Sequence, residues 1–233
     1  MKLGGLQKLT LLDFPGRTAC TVFTKGCNFR CPFCHNASLV LSDRVGNESV
    51  SEEEFFAFLE KRRGILEGVA VTGGEPTLQK DLKKFLGRIR KMGFAVKLDT
   101  NGYEPEILSD IIESGLVDFV AMDIKSSPAG YAKTAGMKNF DIGRIEKSIE
   151  ILKSSVIPFE FRTTAVKGLH TAADFLSIGK WLGDVENYFI QQFVDSGDVI
   201  GSGYSAFSAE EMTALLAMAR VGAPKAKLRG VNG

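Results

Sequence analysis

Six short apolar runs, each followed by an amphipathic stretch, set the limits on what this 233-residue chain can fold into. The runs lie at 19–24, 68–72, 95–99, 119–123, 160–164 and 188–193. Near-continuous apolarity over five or six residues is the pattern of parallel strands covered on both faces. The intervening stretches at 52–63, 78–92, 105–114, 142–154, 172–182 and 209–220 read as helices. Ser51 with Glu54 and Ser208 with Glu211 fit capping boxes, and Thr171 precedes an acidic first turn. Gly64, Gly93 and Gly115 stand where left-handed C-caps belong.

Strand then helix, six times, implies an α/β fold with a parallel sheet. An eight-fold barrel needs about 250 residues. Six units in this length fit a partial (β/α)6 barrel or a doubly wound sheet, and in both ligands bind beyond the carboxyl ends of the strands. One domain over 1–233 is expected. Its core runs from about 18 to 220, with 1–17 an N-terminal extension and 221–233 a C-terminal tail. In that tail Lys225, Lys227 and Arg229 are expected to be solvated.

A net charge of +1 argues against nucleic acid and anionic membranes as partners. No apolar run approaches the roughly 20 residues that span a bilayer, and no secretory apolar core follows Met1. A cytoplasmic location is expected. Three of the four cysteines, Cys27, Cys31 and Cys34, form a C-x3-C-x2-C run at 25–36. Three thiolates leave one position open on an iron–sulfur cubane. A structural zinc module instead expects a second cysteine pair, and none follows. Cys20 lies inside the first strand and reads as a buried inert thiol; a fourth cluster ligand there is the weaker reading.

Polar residues collect at the strand ends. Strand one runs into the cysteine loop, strand two ends in Gly73-Gly74-Glu75-Pro76, and strand three in Asp99-Thr100-Asn101-Gly102. Asp123 and Lys125 close strand four, Arg162 lies on strand five, and Gln191 and Gln192 on strand six. Each also has a plainer reading. The glycine pair fits a tight turn, Asp99 and Asn101 an Asx turn, Asp123 and Lys125 an ion pair, and Arg162 a partner for Glu160. His170 reads as a surface or capping residue, and Phe55, Phe56 and Phe58 as core packing with one ring partly exposed.

Taken together, the cysteine run after one strand and Gly-Gly-Glu-Pro after the next resemble the radical S-adenosylmethionine superfamily, over about 9–193. LDFPGR at 12–17, CHN at 34–36, TGGEPTLQ at 72–79, KLDTNG at 97–102 and AMDIK at 121–125 narrow the resemblance to glycyl-radical-enzyme activating proteins. Within these the chain is most similar to activators of anaerobic ribonucleoside-triphosphate reductase. The resemblance implies a partial barrel and a [4Fe–4S] cluster on Cys27, Cys31 and Cys34, whose fourth iron chelates S-adenosylmethionine. Phe33 and His35 would lie by the adenine. Gly73, Gly74 and Glu75, closed by Pro76, would take the methionine ammonium. Asp99 and Thr100 would hold a monovalent cation or the methionine end, and Asp123 and Lys125 the ribose and carboxylate. The histidine that pyruvate formate-lyase activators carry on strand six is replaced here by Gln191 or Gln192.

The same resemblance implies a mechanism and partners. A flavodoxin- or ferredoxin-like donor reduces the cluster, S-adenosylmethionine is cleaved to methionine and a 5′-deoxyadenosyl radical, and that radical removes a glycine Cα hydrogen from a partner enzyme. The chain has little length beyond six units for a small-molecule lid, and the 36–51 gap is too short for an added ferredoxin-like insert. The alternatives are an activator of the pyruvate formate-lyase type, a small-molecule enzyme similar to 7-carboxy-7-deazaguanine synthase, and a non-catalytic electron-transfer protein. The last expects four cysteine ligands.

Overall fold

A computed structural model of the chain describes residues 1–41, 50–195 and 197–231. Most of the 36–51 gap and the last two residues of the expected tail lie outside the described residues. The elements are β1 (Leu3–Thr10), β2 (Ala19–Thr24), α1 (Ala37–Val40), α2 (Glu52–Glu60), β3 (Gly68–Gly73), α3 (Leu82–Lys91), β4 (Ala95–Thr100), α4 (Pro105–Glu113), β5 (Phe119–Asp123), α5 (Tyr131–Ala135), α6 (Ile142–Ser154), β6 (Phe159–Ala165), α7 (Ala172–Leu182), β7 (Tyr188–Gln192), α8 (Ala209–Arg220) and β8 (Lys227–Arg229). Within each unit the strands lie in chain order, β1 to β4 in the first and β6 to β8 in the second. The α/β class and the six expected strands are all present. The chain divides into two compact units, one of 1–28, 38–121 and 154–158, the other of 29–37, 122–153 and 159–233.

In the first unit β2, β3 and β4 pair in parallel, while β1 lies antiparallel on β2. The residues read as an N-terminal extension therefore add a strand. Val69, Val71, Val96 and Leu98 are fully buried, which explains the unbroken apolar pattern. The helices cover them with Phe55, Phe56 and Phe85, whose rings meet at 5.1–5.3 Å. Burial of each such ring contributes about 2–3 kcal/mol. Phe58 is half-buried, as its place on α2 requires.

In the second unit β6, β7 and β8 pair in parallel. Helices α6, α7 and α8 match their expected bounds, and α7 and α8 carry capping boxes at their starts. Ser208 and Glu211 cap α8 reciprocally, and the Asp174 carboxylate accepts from the Thr171 N–H and hydroxyl. The Ser51–Glu54 box on α2 in the first unit is also made. Gly64, Gly93 and Gly115 have φ of 74°, 91° and 62°.

The C-terminal tail is corrected by the structure. Arg229 is only partly solvated: it ends β8 and forks onto Glu160 at 3.0 and 2.8 Å, lying 3.6 Å over the Phe189 ring. Lys225 is exposed but paired with Glu186 at 2.8 Å. Glu160 is 2% exposed, and both of its oxygens accept from this partner. Among the described residues no helix is long and apolar enough to cross a membrane.

Arg229→Ala leaves the Glu160 carboxylate buried with Arg162 at 4.0 Å as its nearer cation. A loss of about 1–3 kcal/mol in urea unfolding is expected, with part of it restored when Glu160→Gln is added.

Candidate functional site

The first unit fixes the chain that leads into the cysteine loop. After β2 the backbone of residues 24–26 is held on each polar group. Gly74 N–H donates to Thr24 O at 2.9 Å, Glu75 N–H to Gly26 O at 2.8 Å, and Gly26 N–H to Leu39 O at 2.7 Å. Gln79 Nε2 donates to Lys25 O at 2.8 Å. These contacts explain the two glycines. A Cβ on Gly73 would lie 2.3 Å from Thr24 N, and one on Gly74 would lie 1.9 Å from Gly26 O. Gly73 also has φ of 115°, a conformation that side chains resist. The glycine pair thus seats one strand end against the backbone just before Cys27.

Glu75 turns its side chain inward. It is 1% exposed, and its carboxylate accepts four hydrogen bonds. Thr77 donates from its N–H at 3.1 Å and hydroxyl at 2.6 Å, the Thr100 hydroxyl at 2.8 Å, and the Asn101 N–H at 2.7 Å. Burial pushes its carboxyl up, against the pull of these donors. Pro76 starts a short 3₁₀ turn, Pro76–Leu78, and is buried. Asp99 is ion-paired with Lys97, whose side chain is 1% exposed. Asn101 makes the expected Asx contact, accepting from Tyr103 N–H at 2.9 Å. Its Nδ2 also lies 2.7 Å from Asn28 Oδ1 and 3.8 Å from Cys27 Sγ.

The second unit carries Cys31 and Cys34, joined by a turn in which Cys34 N–H donates to Cys31 O at 3.0 Å. Phe33 is 5% exposed, with its ring edge-on to His170 at 6.3 Å between centroids. His35 is exposed. At the end of β5, Asp123 accepts from Lys125 Nζ at 2.8 Å and Arg162 Nε at 2.9 Å. The ion pair read for Asp123 and Lys125 is therefore made. Arg162 takes Asp123 as its close partner, with Glu160 at 4.0 Å.

Burial works against the Asp123 carboxylate, but Arg162 and Lys125 outweigh it and hold the carboxyl far below its usual range. Burial likewise opposes the Lys125 charge, and Asp123 and then Cys31 outweigh it, so the ammonium is strongly retained. The backbone here is pinned at three successive residues. Tyr131 OH donates to Asp123 O at 3.2 Å, Ile124 N–H to Arg162 O at 2.7 Å, and His170 contacts Lys125 O at 2.9 Å.

His170 is a correction to the surface or capping role. It is 4% exposed, and its Nδ1 accepts from Val166 N–H at 3.1 Å, so Nε2 carries the proton given to Lys125 O. Burial lowers its pKa. One ring contact is local, to Val166, but the other comes from 45 residues away, which the residues around His170 do not signal. Arg162 and Asn101 likewise acquire positioning roles through long-range contacts, and Tyr131 through one to Asp123 eight residues back. Gln192 donates to Phe207 O at 2.8 Å, and Gln191 stands opposite Arg229 of β8.

The thiols suit an iron–sulfur group. None of the four cysteines is in a disulfide. Asn101 offers an N–H to Cys27, and Asn28 Nδ2 is buried with no partner among the described residues. Lys125 places positive charge near Cys31 and Cys34. Burial pushes the Cys34 thiol up, against an Asn36 backbone contact and Lys125; coordination is what removes such a proton. Among the described residues no three His, Cys, Asp or Glu side chains gather closely enough to chelate a single ion. Cys20 is fully buried and pushed up to about 12 by burial, as an inert strand thiol should be.

Comparison with known proteins gives a consistent picture. A family model described as the radical SAM superfamily matches residues 21–180. A Methanocaldococcus jannaschii protein named as a glycyl-radical enzyme activating enzyme is 33% identical over 195 residues, covering 82% of this chain and 79% of the relative. A 7-carboxy-7-deazaguanine synthase of Thermococcus kodakarensis is 30% identical over 158 residues, or 60% of each chain. Among solved structures, archaeal TYW1 matches with a TM-score of 0.58 at 15% identity, over 88% of this chain and 72% of that one. Streptococcus suis SuiB bound to its precursor peptide SuiA matches with a TM-score of 0.65 at 13% identity, over 89% and 47%. At those identities the likeness is one of fold.

Two outcomes follow from the geometry. Gly74→Ala is expected to cost at least about 2–4 kcal/mol in urea unfolding, as overpacking against backbone does. Gly87→Ala is the control, because there an added Cβ meets nothing nearer than 3.8 Å on an α3 position, and it should be neutral or stabilising. For His170, the unfolded chain titrates near 6.5 and the folded chain below it. Between those values the unfolded state binds the extra proton, so stability should fall as pH drops below about 6.5, by at most about 1.4 kcal/mol per pH unit. His170→Gln should lack this component, narrowing its stability gap to the parent between pH 7 and 5 in parallel denaturation curves.

Proposed function

This chain belongs to the radical SAM superfamily, and we propose that it activates a glycyl radical enzyme. It is a radical SAM enzyme, whose family cofactors are a [4Fe–4S] cluster and S-adenosylmethionine. The observation that carries the finer reading is the match, over 82% of this chain and 79% of the relative, to a protein named as a glycyl-radical enzyme activating enzyme. When bound, the cofactor pair supplies one-electron reductive cleavage of a sulfonium and a radical able to remove hydrogen from carbon.

The chain's own residues provide placement. In this proposal Cys27, Cys31 and Cys34 hold three irons and leave the fourth to S-adenosylmethionine. Gly73, Gly74 and Pro76 shape the backbone that meets the methionine ammonium. Glu75 acts through the strand ends it ties together, since its oxygens already accept four bonds. Asp99 and Thr100 flank the methionine end. Lys125, kept cationic by Asp123, receives the carboxylate, and Asp123 the ribose. Phe33 and His35 lie by the adenine. The partner we propose is an anaerobic ribonucleoside-triphosphate reductase, with a flavodoxin- or ferredoxin-like donor, in the cytoplasm. A small-molecule reaction of the 7-carboxy-7-deazaguanine synthase kind is the second reading, supported by 30% identity over 60% of that relative's length.

The anaerobically reconstituted, dithionite-reduced chain is expected to cleave S-adenosylmethionine, and Cys31→Ala to lose at least about a thousandfold of that rate, because a two-thiolate site does not hold the cubane. Incubated with an anaerobic ribonucleoside-triphosphate reductase from the same source, it should give a glycyl-radical doublet in electron paramagnetic resonance. Cleavage without any such doublet, but with turnover of a deazapurine precursor, would move the assignment to the second reading.

A further inference from the structure

We infer that Asn101 is a hydrogen-bond donor to Cys27 and sets how readily the cluster accepts an electron. The inference rests on Cys27 being a cluster ligand, as proposed above.

Asn101 follows the last residue of β4 and is 5% exposed. Its backbone N–H is spent on Glu75 at 2.7 Å. Its Oδ1 accepts from Tyr103 N–H at 2.9 Å. A backbone N–H can only donate, so this contact fixes which end of the amide is oxygen. Nδ2 must then face the other way, where Asn28 Oδ1 stands at 2.7 Å and Cys27 Sγ at 3.8 Å. The two hydrogens of the amide match the two acceptors. The Cys27 thiol itself faces Asn28 Oδ1 at 3.7 Å, a contact that ends when the thiol proton leaves. The Asn101 donor remains, and it gains strength when the sulfur is a thiolate.

A cluster that takes up one electron becomes more negative, and its sulfurs share that charge. A fixed N–H donor interacts more strongly with the more negative state, which raises the reduction potential. The donor here is fixed from behind by Glu75. An Asx turn alone would explain the Tyr103 contact but not the two acceptors that stand in front of Nδ2.

Asn101→Ser separates the two roles. A serine hydroxyl can keep the turn by accepting from Tyr103 N–H, carries no charge, and is too short to reach Cys27. In the anaerobically reconstituted full chain, Asn101→Ser should bind the same iron and sulfide as the parent. At a fixed solution potential its ratio of reduced to oxidised cluster should fall about tenfold, which is about 59 mV for one electron. An unmoved midpoint in a fully loaded variant overturns the inference and leaves the functional proposal standing. A parent chain that assembles no cluster overturns both. In the parent labelled with 15N at asparagine side-chain amides, pulsed electron paramagnetic resonance of the reduced cluster should show a weak 15N coupling. Absence of that coupling overturns the inference even if the variant holds no cluster.

Discussion

One buried carboxylate governs the first unit. Placing Glu75 in the interior would cost several kcal/mol if its oxygens were unmet. Its donors lie two residues ahead on Thr77 and some 25 residues on at Thr100 and Asn101. It is satisfied only when the ends of β3 and β4 sit at one height. The next residue back, Gly74, touches Gly26, so the same constraint passes into the segment that presents Cys27. The residue that looked most like a ligand for a cation is thus the group that makes the surrounding backbone a defined surface.

How much of this could be read from the sequence depended on how local the cause was. Helices α6, α7 and α8 were legible to their last residues because the apolar periodicity lies within each, and α7 and α8 add capping residues at their starts. Strand β5 was legible to the residue, and β3, β4, β6 and β7 to within one or two. β1 was not, because Leu3–Thr10 includes two glycines and a lysine and owes its form to pairing with β2. β8 is three residues long, below any periodicity, and is held through the distant Glu160. The cysteine spacing and the Gly-Gly-Glu-Pro motif pointed to the family. The motif's geometry was hidden, since only three-dimensional neighbours tell that the glycines make room for backbone and that the glutamate faces inward. His170 shows the same limit: its neighbours announce a helix start, while its two ring contacts bury it.

In the second unit electrostatics does comparable work. Asp123 lies between two cations, and its carboxylate fixes both. Lys125 consequently stays charged despite partial withdrawal from water, and its main chain is held by His170 while Tyr131 and Arg162 hold the two residues before it. A lysine that is both ionised and immobile can distinguish a carboxylate from a neutral group with little ordering cost on binding.

The position of Cys20 bears on durability. Loop thiols that lose their metal in air become open to sulfenic acid and disulfide formation. A strand thiol with a pKa of about 12 is ionised in only on the order of one molecule in 100,000 at pH 7 and is walled off by the sheet. It neither attacks an oxidised neighbour nor is attacked. Oxidation that reaches the loop cysteines thereby leaves this part of the scaffold unaltered.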